Sequence, residues 1–116
     1  MVKQKMEIKN VLEKSQMCEK TISLIGNKWS LMIVNEFNLI GKPLRFNMLL
    51  EKLSPISSKT LSAKLKELVQ HKILDKNIIS TSPVIANYSL TQKGKDLAGL
   101  FESMASWGKK WNPHTI

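Results

Sequence analysis

Residues 44–95, LRFNMLLEKLSPISSKTLSAKLKELVQHKILDKNIISTSPVIANYSLTQKGK, space their apolar side chains as two short helices, a hairpin and the opening of a further helix. Phe46, Leu49, Leu50 and Leu53 recur at i, i+3, i+4 and i+7, the stripe of an amphipathic helix, and Ser54-Pro55 stops it. A second helix begins at Ser57 or Ser58, whose hydroxyls suit the open amides of a first turn. Leu61, Leu65 and Leu68, with Val69 at the margin, share one side of that helix at about 100° per residue. Ile73-Leu74 and Asp75 to Ile79, a Ser-Thr-Ser-Pro turn, and Val84 to Leu90 then read as two strands around a loop.

Helix, turn, helix and hairpin in this order spell a winged helix-turn-helix. The face opposite the leucines of the second helix carries Lys59, Ala63, Lys66 and Gln70, flanked by Thr60, Ser62 and Lys64, with no carboxylate before Glu67. Lysines neutralise phosphates, hydroxyls and amides reach base edges, and small residues let the backbone approach a groove. The plainer reading of such a face is solvation, the usual fate of charge on a helix. Candidates for contact with duplex DNA are Arg45, Ser57, Ser58, Lys59, Thr60, Ser62, Ala63, Lys64, Lys66, Gln70 and Lys76. Arg45 is the only arginine, and its planar fork suits either a DNA phosphate or a carboxylate such as Glu36 or Glu51.

With Thr91 placed to cap a last helix, the chain resembles the HxlR-type family of winged-helix transcriptional regulators, relatives of the MarR type. The resemblance rests on Cys18, IGNKWSLMIV from Ile25, LRFNMLLEKL from Leu44, ISSKTLSAKLKEL from Ile56, Pro83, YSLTQKG from Tyr88, and Trp107-Gly108, and spans residues 18 to 111. It implies a mainly α fold with a small β wing, Leu44-Arg45 as a short strand beside that wing, and terminal helices that form a dimer interface. It also implies that the helix from Ser57 to His71 enters the major groove. Some members carry a cysteine at the start of the first core helix and sense oxidants or electrophiles with it; Cys18 holds that place. A helix start and Lys20 favour its thiolate, whereas Glu19 opposes it and stands where the family pattern has a proline. The other reading of Cys18 is a small buried residue between helices. The wing departs from the pattern, with Val84, Ile85, Ala86 and Asn87 where a basic residue is usual, so a wing arginine in the minor groove is not available.

At 116 residues and 13.2 kDa the chain has room for one domain. Its 18 basic against 9 acidic residues, a net charge of +9 and a pI near 9.8 favour a polyanionic partner, nucleic acid ahead of an acidic membrane. No apolar run approaches the ~20 residues of a membrane span, and the N-terminus has no secretory apolar region, so a cytoplasmic location is expected. One cysteine excludes an intramolecular disulfide, and His71 and His114 stand alone, so neither metal nor cofactor is implied. A phosphate-binding glycine loop, a nucleophile elbow and an acid-base pair are all missing, which argues against an enzyme.

Three parts are expected: an arm or short helix over 1–17, a DNA-binding core over 18–96 and a dimerisation helix over 97–116. Cys18, Ile22 and Ile25 keep helical spacing, and Gly26 is expected to end that helix in the left-handed conformation. Asn27 then caps an apolar central helix closed by Gly41. In the last helix Leu97, Leu100, Phe101, Met104, Trp107 and Trp111 form a continuous apolar stripe that suits a homodimer, or else packing on the chain's own first helices. The function expected is a dimeric, sequence-specific regulator on palindromic DNA, with Cys18 a redox or electrophile input. A protein-interaction module of a transcription complex, or a repressor answering a small molecule at the dimer interface, are the alternatives.

Overall fold

In a computed structural model that describes residues 2–112, six helices and one two-stranded sheet follow the order α1 (Val2–Ile25), α2 (Lys28–Ile40), α3 (Phe46–Lys52), α4 (Ser58–Gln70), β1 (Leu74–Thr81), β2 (Val84–Leu90), α5 (Gln92–Lys95) and α6 (Ala98–Trp111). The last four residues of the expected dimerisation helix, His114 among them, lie outside the described residues.

The core forms where the amphipathic stripes meet. Ile33, Val34 and Phe37 of α2 pack with Leu49 of α3, Leu61, Leu65 and Leu68 of α4, Ile25 at the end of α1, Leu74 at the start of β1, and Leu44, Leu53, Ile56 and Ile73 from the segments between. Asn27 starts α2 by accepting from the amides of Trp29 (3.0 Å) and Ser30 (3.4 Å), and Gly41 ends it at φ 72°, a conformation that costs glycine nothing. Strands β1 and β2 pair antiparallel from Leu74↔Leu90 to Thr81↔Val84, leaving Ser82-Pro83 as the turn. The expected strand at Leu44 is a single bridge: Leu44 and Tyr88 exchange both backbone hydrogen bonds, at 2.9 and 2.8 Å.

Three expectations need correction. The chain does not start a helix at Cys18: α1 is continuous from Val2, so Cys18 lies far inside it, and residues 3–16 contain no breaker that would divide it. Gly26 does not adopt the left-handed conformation, which is confined to Gly41 and Lys72 among the described residues. Its amide instead lies 2.6 Å from the Ile22 carbonyl oxygen, and a Cβ at this position would strike that carbonyl. The last helix is not single either. Leu97 N–H bonds back to Gly94, three residues earlier, and this tight turn separates α5 from α6.

Candidate nucleic-acid interface

Helix α4 is built to hold one face rigid and offer the other. Ser57 occupies the N-cap position, where its hydroxyl accepts from the Thr60 amide (3.0 Å) and donates to the Thr60 hydroxyl (2.9 Å). At the other end Ile73 N–H bonds to Leu68 and Lys72 N–H to Val69, with Lys72 at φ 61°. That is a Schellman closure with lysine in the position glycine usually takes. Between the two caps Leu61, Leu65 and Leu68 are at most 1% exposed, so the helix cannot roll without emptying the core.

Lys59, Ser62, Ala63, Lys66 and Gln70 all lie exposed on the side away from those leucines. At about 100° per residue they fall within roughly a third of a turn of one another. Ser58 is exposed at the first turn. Other candidates are placed differently. Ser57 and Thr60 spend their hydroxyls on the cap, and Lys64 is half-buried, its ammonium 3.4 Å from Glu67. This pair draws the one nearby carboxylate toward the edge of the helix.

Arg45 precedes α3 without capping it and is exposed. Neither Glu36 nor Glu51 pairs with it; Lys64–Glu67 is the sole ion pair among the described residues. Arg45 shares a surface groove with Lys76 and Tyr88 that is also lined by Val84, Ile85 and Ala86 of the wing. On the opposite wing face Asn77 donates to Asn87 (2.9 Å) and Ser89 (3.1 Å).

The base of the wing holds residues that periodicity did not single out. Lys93 of α5 donates to the carbonyl of His71, the residue that ends α4, at 2.9 Å. Thr91 caps α5 as expected, accepting from Gly94 N–H (3.1 Å), and also turns its hydroxyl to the Lys72 (2.5 Å) and Ile73 (3.1 Å) carbonyls. The signal for this corner in the sequence is only the Thr-Gln-Lys-Gly spacing.

The expected stripe of the last helix divides in two. Leu97 and Phe101 pack half-buried against the core, whereas Leu100, Met104, Trp107 and Trp111 are exposed, both tryptophans at 62%. Cys18 is exposed on α1, not buried between helices. Along the same helix Met6, Ile8, Val11, Leu12, Met17 and Ile22 are also exposed.

A family model described as HxlR-like helix-turn-helix matches residues 24–116, which include the whole α2–β2 unit just described. The chain belongs to the HxlR-like helix-turn-helix family. Among its HxlR-like relatives, the HTH-type transcriptional regulator YodB of Bacillus subtilis (strain 168) is 34% identical over 93 residues, 80% of this chain and 81% of that protein. The HTH-type transcriptional regulator YvaP of the same organism is 33% identical over 103 residues, 86% of this chain and 94% of YvaP. The reduced form of YodB superposes with a TM-score of 0.70 over 80% of this chain and 89% of its own, and YodB has also been solved diamide-treated and quinone-bound. The reduced form of the redox regulator HypR, 28% identical, gives a TM-score of 0.73 over 80% of this chain and 90% of its own; HypR has an oxidised form too. None of the helices in the described residues is long and apolar enough to cross a membrane.

Proposed function

We propose that this chain is a dimeric, sequence-specific DNA-binding transcriptional regulator that lays α4 of each protomer in the major groove of one half-site of a palindrome. The observation that carries the reading is the α4 face of Lys59, Ser62, Ala63, Lys66 and Gln70, exposed and braced from behind by buried leucines. Its kinship with HTH-type regulators supports it. Lys59, Lys66, Arg45 and Lys76 hold phosphates and supply most of the affinity, while Ser58, Ser62 and Gln70 face base edges and Ala63 admits the backbone. In this division of labour residues 18–96 bind DNA, 97–116 join the protomers, and 1–17 extend that joint. The test is selection of bound sequences from random duplexes at low salt, followed by binding across a salt series. A palindromic consensus whose affinity falls steeply with salt is expected; no enrichment over the starting pool would sink the proposal.

Cys18 is the proposed input. Its support is the exposure of this one thiol on α1, together with the quinone-bound and diamide-treated forms known for YodB. With a quinone the sulfur forms a carbon–sulfur bond to a ring carbon, the thiol proton passes to one ring oxygen, and the hydrogen of the attacked carbon moves as a proton to the other, leaving a hydroquinone thioether. Quinone treatment is expected to change DNA affinity in the parent chain and to leave a Cys18→Ser variant unaffected. Equal responses in both, or a thiol that stays unmodified in the folded protein, would remove Cys18 from the mechanism.

A further inference from the structure

The end of α2 borders a cavity that the candidate nucleic-acid interface does not use. Gly41 stops α2 at φ 72°, Pro43 follows, and Leu44 bridges Tyr88, which holds this link beside the last residues of β2. A Cβ added to Gly41 would meet nothing within 4 Å, so the space next to it is open. The cavity there measures about 490 Å³, within the range of small-molecule sites. Phe37, Pro43 and Leu90 line it with apolar surface, and Phe37, only 2% exposed, is anchored in the core. Asn38, Ser89, Lys42 and Lys95 supply the polar groups, with no carboxylate among them.

We propose that this cavity binds a small organic acid, its anionic group held by Lys42 and Lys95 and its apolar body set against Phe37, Pro43 and Leu90. Charge selects an anion. The two lysines come from separate parts of the chain, the link after α2 and the end of α5, and neither enters an ion pair among the described residues. Lys93, two residues from Lys95, instead commits its ammonium to the His71 carbonyl. The Ser89 hydroxyl accepts from Asn77 at 3.1 Å, which leaves its own proton to donate, and Asn38 adds an amide. The C-terminal end of α2 brings partial negative charge to the same place, but only about half an elementary charge, which two ammonium groups outweigh. The apolar lining then separates an organic acid from bare phosphate, which would leave that surface facing water. None of these residues belongs to the exposed face of α4 or to the open apolar faces of α1 and α6, so the site is complete within one protomer.

The experiment titrates the full chain with benzoate, benzamide and inorganic phosphate while backbone amide resonances are followed. Benzoate is expected to give saturable shifts at Gly41, Ser89 and Leu90, with a dissociation constant of about 10 mM or tighter. Benzamide lacks the charge and phosphate the apolar body, and each should bind at least about tenfold more weakly. A Lys42→Ala, Lys95→Ala double variant, changed only at exposed positions, should unfold as the parent does and lose benzoate affinity by about tenfold or more. Phosphate or benzamide binding as tight as benzoate, shifts centred on another surface, or equal benzoate affinity in parent and variant would overturn the assignment. So would a salt slope for duplex binding that is flatter by about 2 in the double variant, since that would give both lysines to DNA phosphates.

Discussion

Lys64 and Lys66, two positions apart on α4, have different surroundings. Lys64 lies along the helix, half-buried against Glu67, while Lys66 projects from the same exposed side as Lys59 and Gln70. Lys59→Ala and Lys66→Ala are each expected to weaken binding to all sequences and to flatten the salt slope by about 1, and Lys64→Ala to do less, as salt titrations would show. Ser62→Ala and Gln70→Ala should instead change which sequences are preferred, at about 1–3 kcal/mol for each base edge left unread. Helical periodicity makes the exposed face legible in the sequence, but it does not reveal which lysine finds an acid three residues on. Nor does it reveal Lys72, which ends α4 in a left-handed conformation without the glycine or asparagine that would have announced it. That conformation costs a side chain with a Cβ about 1–2 kcal/mol. Lys72→Gly, after glycine's greater entropy loss, is expected to raise stability by up to about 1 kcal/mol in denaturant melts.

Between elements, the corner that joins α4, β1 and α5 ties α4 to the C-terminal segment. Lys93 donates to the carbonyl of His71, and the Thr91 hydroxyl lies within hydrogen-bond reach of those of Lys72 and Ile73, where α4 gives way to β1. Gly94 is buried there, and a Cβ would meet the Ile73 carbonyl and, at 2.8 Å, Leu90 Cδ2. Gly94→Ala is therefore expected to cost about 1–3 kcal/mol in urea or thermal unfolding, a size typical of overpacking. The elements from α2 to β2 are legible because each carries a period, a cap or a turn residue of its own. The α5–α6 break is not, since only packing on Ile73 and on Leu90 of β2 fixes Gly94 and the tight turn at Leu97 lacks a helix-breaking residue. Continuity of α1 is equally silent. Before Leu24 its described residues are all exposed, so no core imposes a burial pattern that would mark its true start.

At the scale of the molecule, the axes of 66 × 38 × 23 Å show that the chain is elongated, consistent with a long α1 that buries little of itself. Besides Ile78, Ile79 and Val84 on the hairpin, two apolar helix surfaces stay open: that of α1, and that of Leu100, Met104, Trp107 and Trp111 on α6. A second copy related by a two-fold axis would cover both and set two α4 helices on half-sites about one helical turn apart. Deleting residues 97–116 would be a poor test, because it also strips Leu97 and Phe101 from the protomer's own core. Trp107→Glu with Trp111→Glu leaves that packing in place and adds four like charges to the dimer. Sedimentation at micromolar concentration is expected to show a dimer for the parent and a monomer for the double variant, which should still unfold cooperatively but at a lower temperature, having lost the stability that association adds. Palindrome affinity should fall in the variant to that of an isolated half-site. A variant that stays dimeric, or a monomer that keeps full palindrome affinity, would place the interface elsewhere and separate dimerisation from DNA recognition.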